Sequence, residues 1–317
     1  MAQPKTGRTT KIWRDGTLVD WNDANIHVMS HVVHYGSSVF EGMRCYETPS
    51  GGGLFRAREH MRRLHDSARI YRIPLRHSVD EMVQGCIDVV AANELRECYI
   101  RPIVVRTGES MGVHSGNIPV EVFIICWLSG PYLGKEGLAN GVDVCVSSWR
   151  RAAPDTFPMM AKAGGNYINS QLSKMEAKLD GYSEGIMLDA AGHVAEGSGE
   201  NLFAVRDNVL YTAPIGAGIL NGITRDSVIR LAGDMGLSVR EELMPREFLY
   251  MVDELFFCGT AVEITPIKSV DRIPVGTGRP GEVTMALQRE YLGIAHGSIP
   301  DRHRWLTMVP EPIAAVR

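Results

Sequence analysis

The sequence has no Cys-x-x-Cys pair, no long apolar run and no block of like charge, and each absence removes a class of protein. Its six cysteines (Cys45, Cys86, Cys98, Cys126, Cys145 and Cys258) lie far apart, mostly inside apolar strand-like segments. They read as reduced core thiols rather than disulfide partners or zinc ligands. The longest apolar run, Val122 to Leu128, is seven residues, far short of the ~18 that a membrane-spanning helix needs. The polar start Met1-Ala2-Gln3-Pro4-Lys5 has no signal-peptide core, so a cytoplasmic protein with no membrane partner is expected. A net charge of −4 without runs of one sign gives no reason to expect nucleic acid as a partner, and points to a small-molecule ligand. There is no internal repeat, and Gly197-Ser198-Gly199 lacks the third glycine of a dinucleotide fingerprint.

What is present is enough apolar content, 44 per cent of 317 residues, for globular folding in two domains. The pattern is mixed α/β. Lys11-Ile12-Trp13 and Thr17-Leu18-Val19, joined through Asp15-Gly16, predict a hairpin. His27, His31 and His34 are spaced for one helical face, but no carboxylate or cysteine completes a ligand set, so no metal site is expected. Helices are predicted from Glu59 to Tyr71 and from Val79 to Asn93, then strands at Cys98–Arg106 and Val120–Leu128. The glycine-dense stretch 129–141 reads as a linker between a small N-terminal domain, 1–128, and a larger one, 142–317. Beyond it come a meander over residues 185–212, a helix opening near Gly222 with Thr224 as N-cap and Gly236 as the residue after its end, strands around Glu254–Cys258 and Val262–Val270, and a last helix near 280–296.

Several residues in this pattern have chemistry to offer. Lys162, in Ala161-Lys162-Ala163-Gly164-Gly165-Asn166-Tyr167, sits between a strand and a helix with small neighbours on both sides. A lysine nucleophile must be deprotonated, and small neighbours would let a planar cofactor lie against it; the alternative is a solvated loop lysine. Glu196 interrupts the meander beside two glycines, where a carboxylate can serve a ligand's ring nitrogen or simply face water. Alternation puts Tyr99 and Arg101 on one face of their strand and Ile100 on the other. Tyr35 and Phe40 flank a segment of small residues and are either pocket or core. An inward arginine on the first helix and the amides opening the helix at Gly222 are both of the kind that holds a phosphate. A lysine nucleophile, a glutamate among glycines, an inward arginine and threonine-bearing glycine loops together suit pyridoxal phosphate.

With those segments in view, the chain closely resembles the branched-chain amino-acid aminotransferases of pyridoxal-phosphate fold type IV, from Val28-Met29-Ser30-His31 through the residues around Thr260. The resemblance implies two α/β domains with the cofactor between them, and a homodimer or higher homo-oligomer. By it, Lys162 is the Schiff-base lysine, Glu196 the partner of the pyridine nitrogen and Tyr167 the donor to the phenolic oxygen. Leu220 packs on the ring; Arg63, Ile223, Thr224 and Thr260 hold the phosphate. Arg63 rather than Arg62 is implied, because it directly precedes Leu64-His65-Asp66-Ser67. The substrate pocket takes Phe40, Tyr99, Arg101, Tyr132 and the Thr260-Ala261 amides, with Tyr35 and Val113 coming from the neighbouring subunit. The implied reaction is ping-pong transfer of the amino group of L-leucine, L-isoleucine or L-valine to 2-oxoglutarate. One departure stands out: where the family usually has Pro-Trp-Gly, this chain has Leu128-Ser129-Gly130, so Ser129 replaces a pocket tryptophan and Trp127 lies two positions upstream. Larger donors are therefore expected to be tolerated. Related enzymes acting on D-amino acids, (R)-amines or aminodeoxychorismate share the cofactor set, but Tyr99-Ile100-Arg101 and Gly259-Thr260-Ala261-Val262-Glu263-Ile264 favour the branched-chain group.

Overall fold

Residues 9–310 are described by a computed structural model, in which the chain forms two compact units. The first takes the residues up to Ser129 together with Ala161–Gly165 and those from Gly293 on; the second takes Gly130–Met160 and Asn166–Leu292. No single cut in the chain separates them, because two segments that follow the glycine-dense stretch pack with the N-terminal residues.

The first unit is built on an eight-stranded antiparallel sheet. Its elements in chain order are β1 (Lys11–Arg14), β2 (Thr17–Asp20), α1 (His31–Tyr35), β3 (Ser38–Phe40), β4 (Met43–Thr48), β5 (Gly51–Phe55), α2 (Ala57–Ile70), α3 (Val79–Ala92), β6 (Cys98–Arg106) and β7 (Val120–Trp127). The last strand, Leu306–Met308, pairs with β5 at one edge. The expected hairpin forms, with Asp15 and Gly16 at positive φ in its turn. Of the three histidines only His31 and His34 are helical; α1 is five residues long and starts after His27.

Period-two alternation along β6 and β7 divides this sheet. Cys98, Ile100, Val104, Val122, Ile124 and Cys126 join Met61, Leu64, Met82 and Val89 of α2 and α3 in one core. Tyr99, Arg101, Ile103, Ile125 and Trp127 therefore lie on the opposite face. At about 25 cal/mol per Å² of apolar surface removed from water, that helix-covered core is what fixes the register of β6 on β7.

The second unit opens with α4 (Gly134–Asn140) and continues through β8 (Val142–Val146), α5 (Tyr167–Leu179), β9 (Glu184–Leu188), β10 (Val194–Gly197), β11 (Asn201–Arg206), β12 (Val209–Thr212), α6 (Ile223–Asp234), β13 (Ser238–Glu241), β14 (Glu254–Gly259), β15 (Glu263–Val270), β16 (Ile273–Pro274) and α7 (Glu282–Ala295), which runs on into the first unit. Its nine-stranded sheet has the order β10-β9-β8-β15-β14-β11-β12-β13 with β16 on β15, and an added β10–β11 pairing joins six of the strands into a ring. β8 runs parallel to both β9 and β15, and β12 to β13.

Two local readings change. Within the stretch 129–141 the chain forms α4, a helix that its glycines gave no reason to expect. Gly137 is there for packing, because a Cβ would meet Val142 Cγ1 at 2.9 Å. Thr224 is not the N-cap of α6: Gly222 takes that position in extended backbone, and Thr224 is buried one residue inside the helix. Gly236 does follow the helix end at positive φ, 73°, as the glycine stop signal implies. All six cysteines are buried and unpaired.

Candidate active site

In the first unit, residues 161–165 lie along β3. The Phe40 amide donates to the Lys162 carbonyl at 2.9 Å, the Lys162 amide donates to Ser67 Oγ at 3.0 Å, and Val39 bridges to Ala163. The small neighbours of the lysine follow from this strap: Ala161 and Ala163 are buried against the strand, and a Cβ on Gly164 would fall 2.4 Å from Ser38 Oγ. Backbone pinned on both sides leaves the side chain to project, and Lys162 Nζ lies 5.0 Å from the Phe40 ring centroid.

Arg63 of α2 is half-buried where Arg62 is exposed. Its Nε and Nη2 donate to Glu41 Oε1 and Oε2 at 2.6 and 2.9 Å, and Glu41 is fully buried. His60, one turn earlier on α2, contacts Glu41 Oε2 through Nδ1 at 2.7 Å. Burial alone would raise the Glu41 carboxyl, but the Arg63 guanidinium and the His60 contact outweigh it and hold it well below the ordinary carboxylate range. Burial lowers His60, against the pull of its hydrogen bond to Glu41 and of the Glu41 charge.

On the sheet face away from the helices, Arg101 is ringed by aromatics. Its Cζ is 4.6 Å from the Phe40 ring centroid, 5.5 Å from Tyr99 and 5.7 Å from Trp127. A Cβ on Gly42 would lie 1.9 Å from the Tyr99 hydroxyl, so Tyr99 takes its place over a glycine that leaves room for it. Ser129 contributes its carbonyl, which accepts from Arg44 Nη1 at 3.3 Å. Tyr35 and Val113 form a separate group. The Gly112 amide donates to the Tyr35 hydroxyl at 3.1 Å, His31 stacks on Tyr35 with ring centroids 4.5 Å apart, and Val113 is left 88 per cent exposed.

In the second unit, Glu196 is buried on β10, at the register shift between Val194 and Glu196. Arg151 Nη2 pairs with its Oε1 at 2.7 Å; Asn201 Nδ2 and the Leu220 amide donate to Oε2 at 3.0 and 3.1 Å. Asn201 also donates to the Leu220 carbonyl at 3.0 Å, so Leu220 is tied to Glu196 through two routes. A Cβ on Gly222 would fall 1.9 Å from Asn201 Oδ1, which accounts for glycine at the start of α6. Gly222 is the N-cap of α6, where Ile223 and Thr224 are the first two residues; Tyr167 is the first residue of α5. Thr260 and Ala261 form the turn between β14 and β15, and the Ala261 carbonyl accepts from the Tyr132 amide at 3.2 Å.

Behind Tyr132 lies a buried charge cluster. Lys174 Nζ sits 4.9 Å over the Tyr132 ring and 2.5 Å from Glu184 Oε2. Glu200 is buried nearby: burial first, then the Glu184 charge, push its carboxyl up to about 8, with the Gly199 amide opposing. Burial likewise raises the Tyr132 phenol, against the pull of Lys174.

Glu41, His60, Arg151, Asn201 and Glu200 are among the residues in these networks that were not singled out from sequence as functional. Only Glu41 left a signal, as a lone charge in the otherwise small and apolar run Gly36 to Met43. Among the described residues no group of three or more His, Cys, Asp or Glu is arranged to hold a metal ion.

The "Amino-transferase class IV" family matches residues 38–270. The branched-chain-amino-acid aminotransferase of Escherichia coli (strain K12) is 50 per cent identical over 305 residues, 96 per cent of this chain and 99 per cent of that one. A crystal structure of the E. coli branched-chain amino acid aminotransferase superposes with a TM-score of 0.93, covering 96 per cent of this chain and all of that one at 50 per cent identity. The crystal structure of the branched-chain amino acid aminotransferase from Thermobaculum terrenum, in its PLP-form, gives 0.89 at 37 per cent identity, with coverage of 95 and 99 per cent. On these matches, the chain belongs to the class IV amino-transferase family, among its branched-chain-amino-acid aminotransferases.

Proposed function

We propose that this enzyme moves the amino group of L-leucine, L-isoleucine or L-valine to 2-oxoglutarate in a ping-pong reaction with pyridoxal phosphate, as at least a homodimer in the cytoplasm. The observation that carries the reading is Lys162, a lysine whose backbone is pinned by Ser67 and Phe40 while its amine projects beside the Phe40 ring. Six buried, unpaired cysteines suit a reducing compartment.

The donor set fits the cofactor's chemistry. Glu196, held in place by Arg151, Asn201 and the Leu220 amide, offers a fixed carboxylate to a pyridine N–H. To the phosphate monoester we assign the backbone amides that open α6 at Ile223 and Thr224, the Thr224 and Thr260 hydroxyls and the Arg63 guanidinium, the donor types that such a group takes. When bound, pyridoxal phosphate supplies an aldehyde carbon that takes and returns the amino group and a ring that accepts the electrons left by the α-proton. Lys162 Nζ would be the group that holds it covalently and, once free, the base and acid that moves the substrate α-proton. Tyr167 would donate a hydrogen bond to the bound cofactor, and Leu220 would pack on its ring.

Phe40, Tyr99, Tyr132, Ser129 and the Thr260-Ala261 turn take the substrate side chain, with Tyr35 and Val113 serving the partner subunit. A mostly apolar pocket discriminates one methylene by only about 1–3 kcal/mol, so the three branched donors are accepted together. Arg101 receives the distal carboxylate of the acceptor. Initial rates for L-leucine, L-isoleucine, L-valine, L-phenylalanine, D-alanine and an (R)-aryl amine, each with 2-oxoglutarate, test the assignment. Preference for D-alanine or the amine rejects it. Borohydride trapping and peptide mapping place the anchor; a label on Lys174 rather than Lys162 removes the nucleophile.

A further inference from the structure

We infer that Trp127 is a positioning residue for substrate selection: its indole, supplied by strand β7 rather than by the linker, holds Arg101 ready for the distal carboxylate of a dicarboxylate substrate. The inference rests on the assignment of Arg101 to that carboxylate. Tyr99 on β6 and Trp127 on β7 are directly opposite partners in the antiparallel ladder, and alternation puts Arg101 on their face two residues from Tyr99. The Tyr99 and Trp127 rings lie 5.0 Å apart, and the Arg101 guanidinium is within 5.7 Å of both and of Phe40. A cation within about 6 Å of a ring face is attracted to it, and tryptophan is the strongest of the three rings.

How the guanidinium is held decides what it can still bind. Arg101 makes no ion pair with a carboxylate among the described residues, and its buried Nε has no hydrogen-bond partner there. Arg63, by contrast, has its charge paired with Glu41 through Nε and Nη2, and meets an anion only with the donors that remain. Aromatic faces fix a guanidinium in place without neutralising it and without occupying its N–H donors, which lie in its plane. A carboxylate arriving at Arg101 therefore meets a pre-placed, uncompensated cation, whereas an apolar side chain at the same spot meets the rings. Phe40 and Tyr99 are buried, while Trp127 is half-buried. Ser129, at the position where an indole is otherwise expected, uses its carbonyl to receive Arg44.

The test measures binding of two unreactive acids to the holoenzyme by calorimetry: glutarate, which has the distal carboxylate, and 4-methylvalerate, which does not. Trp127→Leu is expected to lower the ratio of glutarate to 4-methylvalerate affinity about tenfold and to raise KM for 2-oxoglutarate more than it lowers kcat. Trp127→Phe, which keeps a ring, is expected to restore most of the ratio. A ratio in Trp127→Leu that stays within twofold of the parent, while Arg101→Met loses glutarate, overturns the role of Trp127 alone. Unchanged glutarate affinity in Arg101→Met overturns the assignment of Arg101 and this inference with it. Equal loss of both acids in Trp127→Leu and Trp127→Phe makes Trp127 a structural residue and also overturns it.

Discussion

Arg63 and Glu41 form a two-point clamp, with the guanidinium of a helix donating at 2.6 and 2.9 Å to both oxygens of a carboxylate that is itself fully buried. Bidentate geometry fixes the plane of the guanidinium, so the clamp orients the arginine assigned to the phosphate before any ligand arrives.

Glu41→Gln should therefore cost stability as well as cofactor affinity. Removing one partner of a buried pair typically costs about 3–5 kcal/mol, because the remaining charge is left in low dielectric. The pH sign follows from the depressed carboxyl. A carboxylate whose folded value lies below its ordinary 4.5 contributes stability above that pH and loses it as pH falls through the folded value. Urea midpoints of parent and variant should thus differ most near neutral pH and converge below about pH 4.5. A gap that is constant down to pH 3 would refute the clamp as the source of that stability.

Glu200 carries the opposite sign. Its folded carboxyl is raised from 4.5 to about 8, so the folded state holds a proton that the unfolded chain releases, and stability from this group falls as pH rises between those two values. Glu200→Gln keeps the shape and removes the titration. The stability of the variant relative to the parent should climb from pH 5 to pH 9, as read by paired thermal melts. A flat difference across that range would mean that Lys174 compensates Glu200 fully in the cluster.

The pattern of what was legible follows the range of the interactions. Tyr99 and Arg101 on one strand face follow from alternation along nine residues of β6, and the lysine strap is visible in its own small neighbours. The partners that fix the charged residues are not local. Glu41 and Arg63 are 22 residues apart, and Arg151 comes from the loop after β8 to reach Glu196 on β10. Likewise Trp127 joins Arg101 only through the register of β7 on β6, which no stretch of sequence states. Helix α4 was hidden for another reason: Gly137 meets a packing need against Val142 that outweighs its low helix propensity.

Glu196→Gln is the prediction in which the structure alters the design of the experiment. The simple expectation is a severe loss of turnover, since an amide cannot keep a pyridine nitrogen protonated. Yet Glu196 also neutralises Arg151, whose side chain is 5 per cent exposed, and it accepts from Asn201 and the Leu220 amide. The single variant leaves a buried guanidinium without its countercharge, so destabilisation and displacement of Leu220 will contribute to any loss of rate. Arg151→Met and the double variant Arg151→Met/Glu196→Gln separate the two effects. Melting temperature should fall in each single variant and recover in the double one, because a buried pair replaced together is close to neutral. Turnover should stay low in both variants that lack the carboxylate and remain measurable in Arg151→Met. If the double variant recovers turnover along with stability, Glu196 serves the fold and its role at the ring nitrogen is withdrawn.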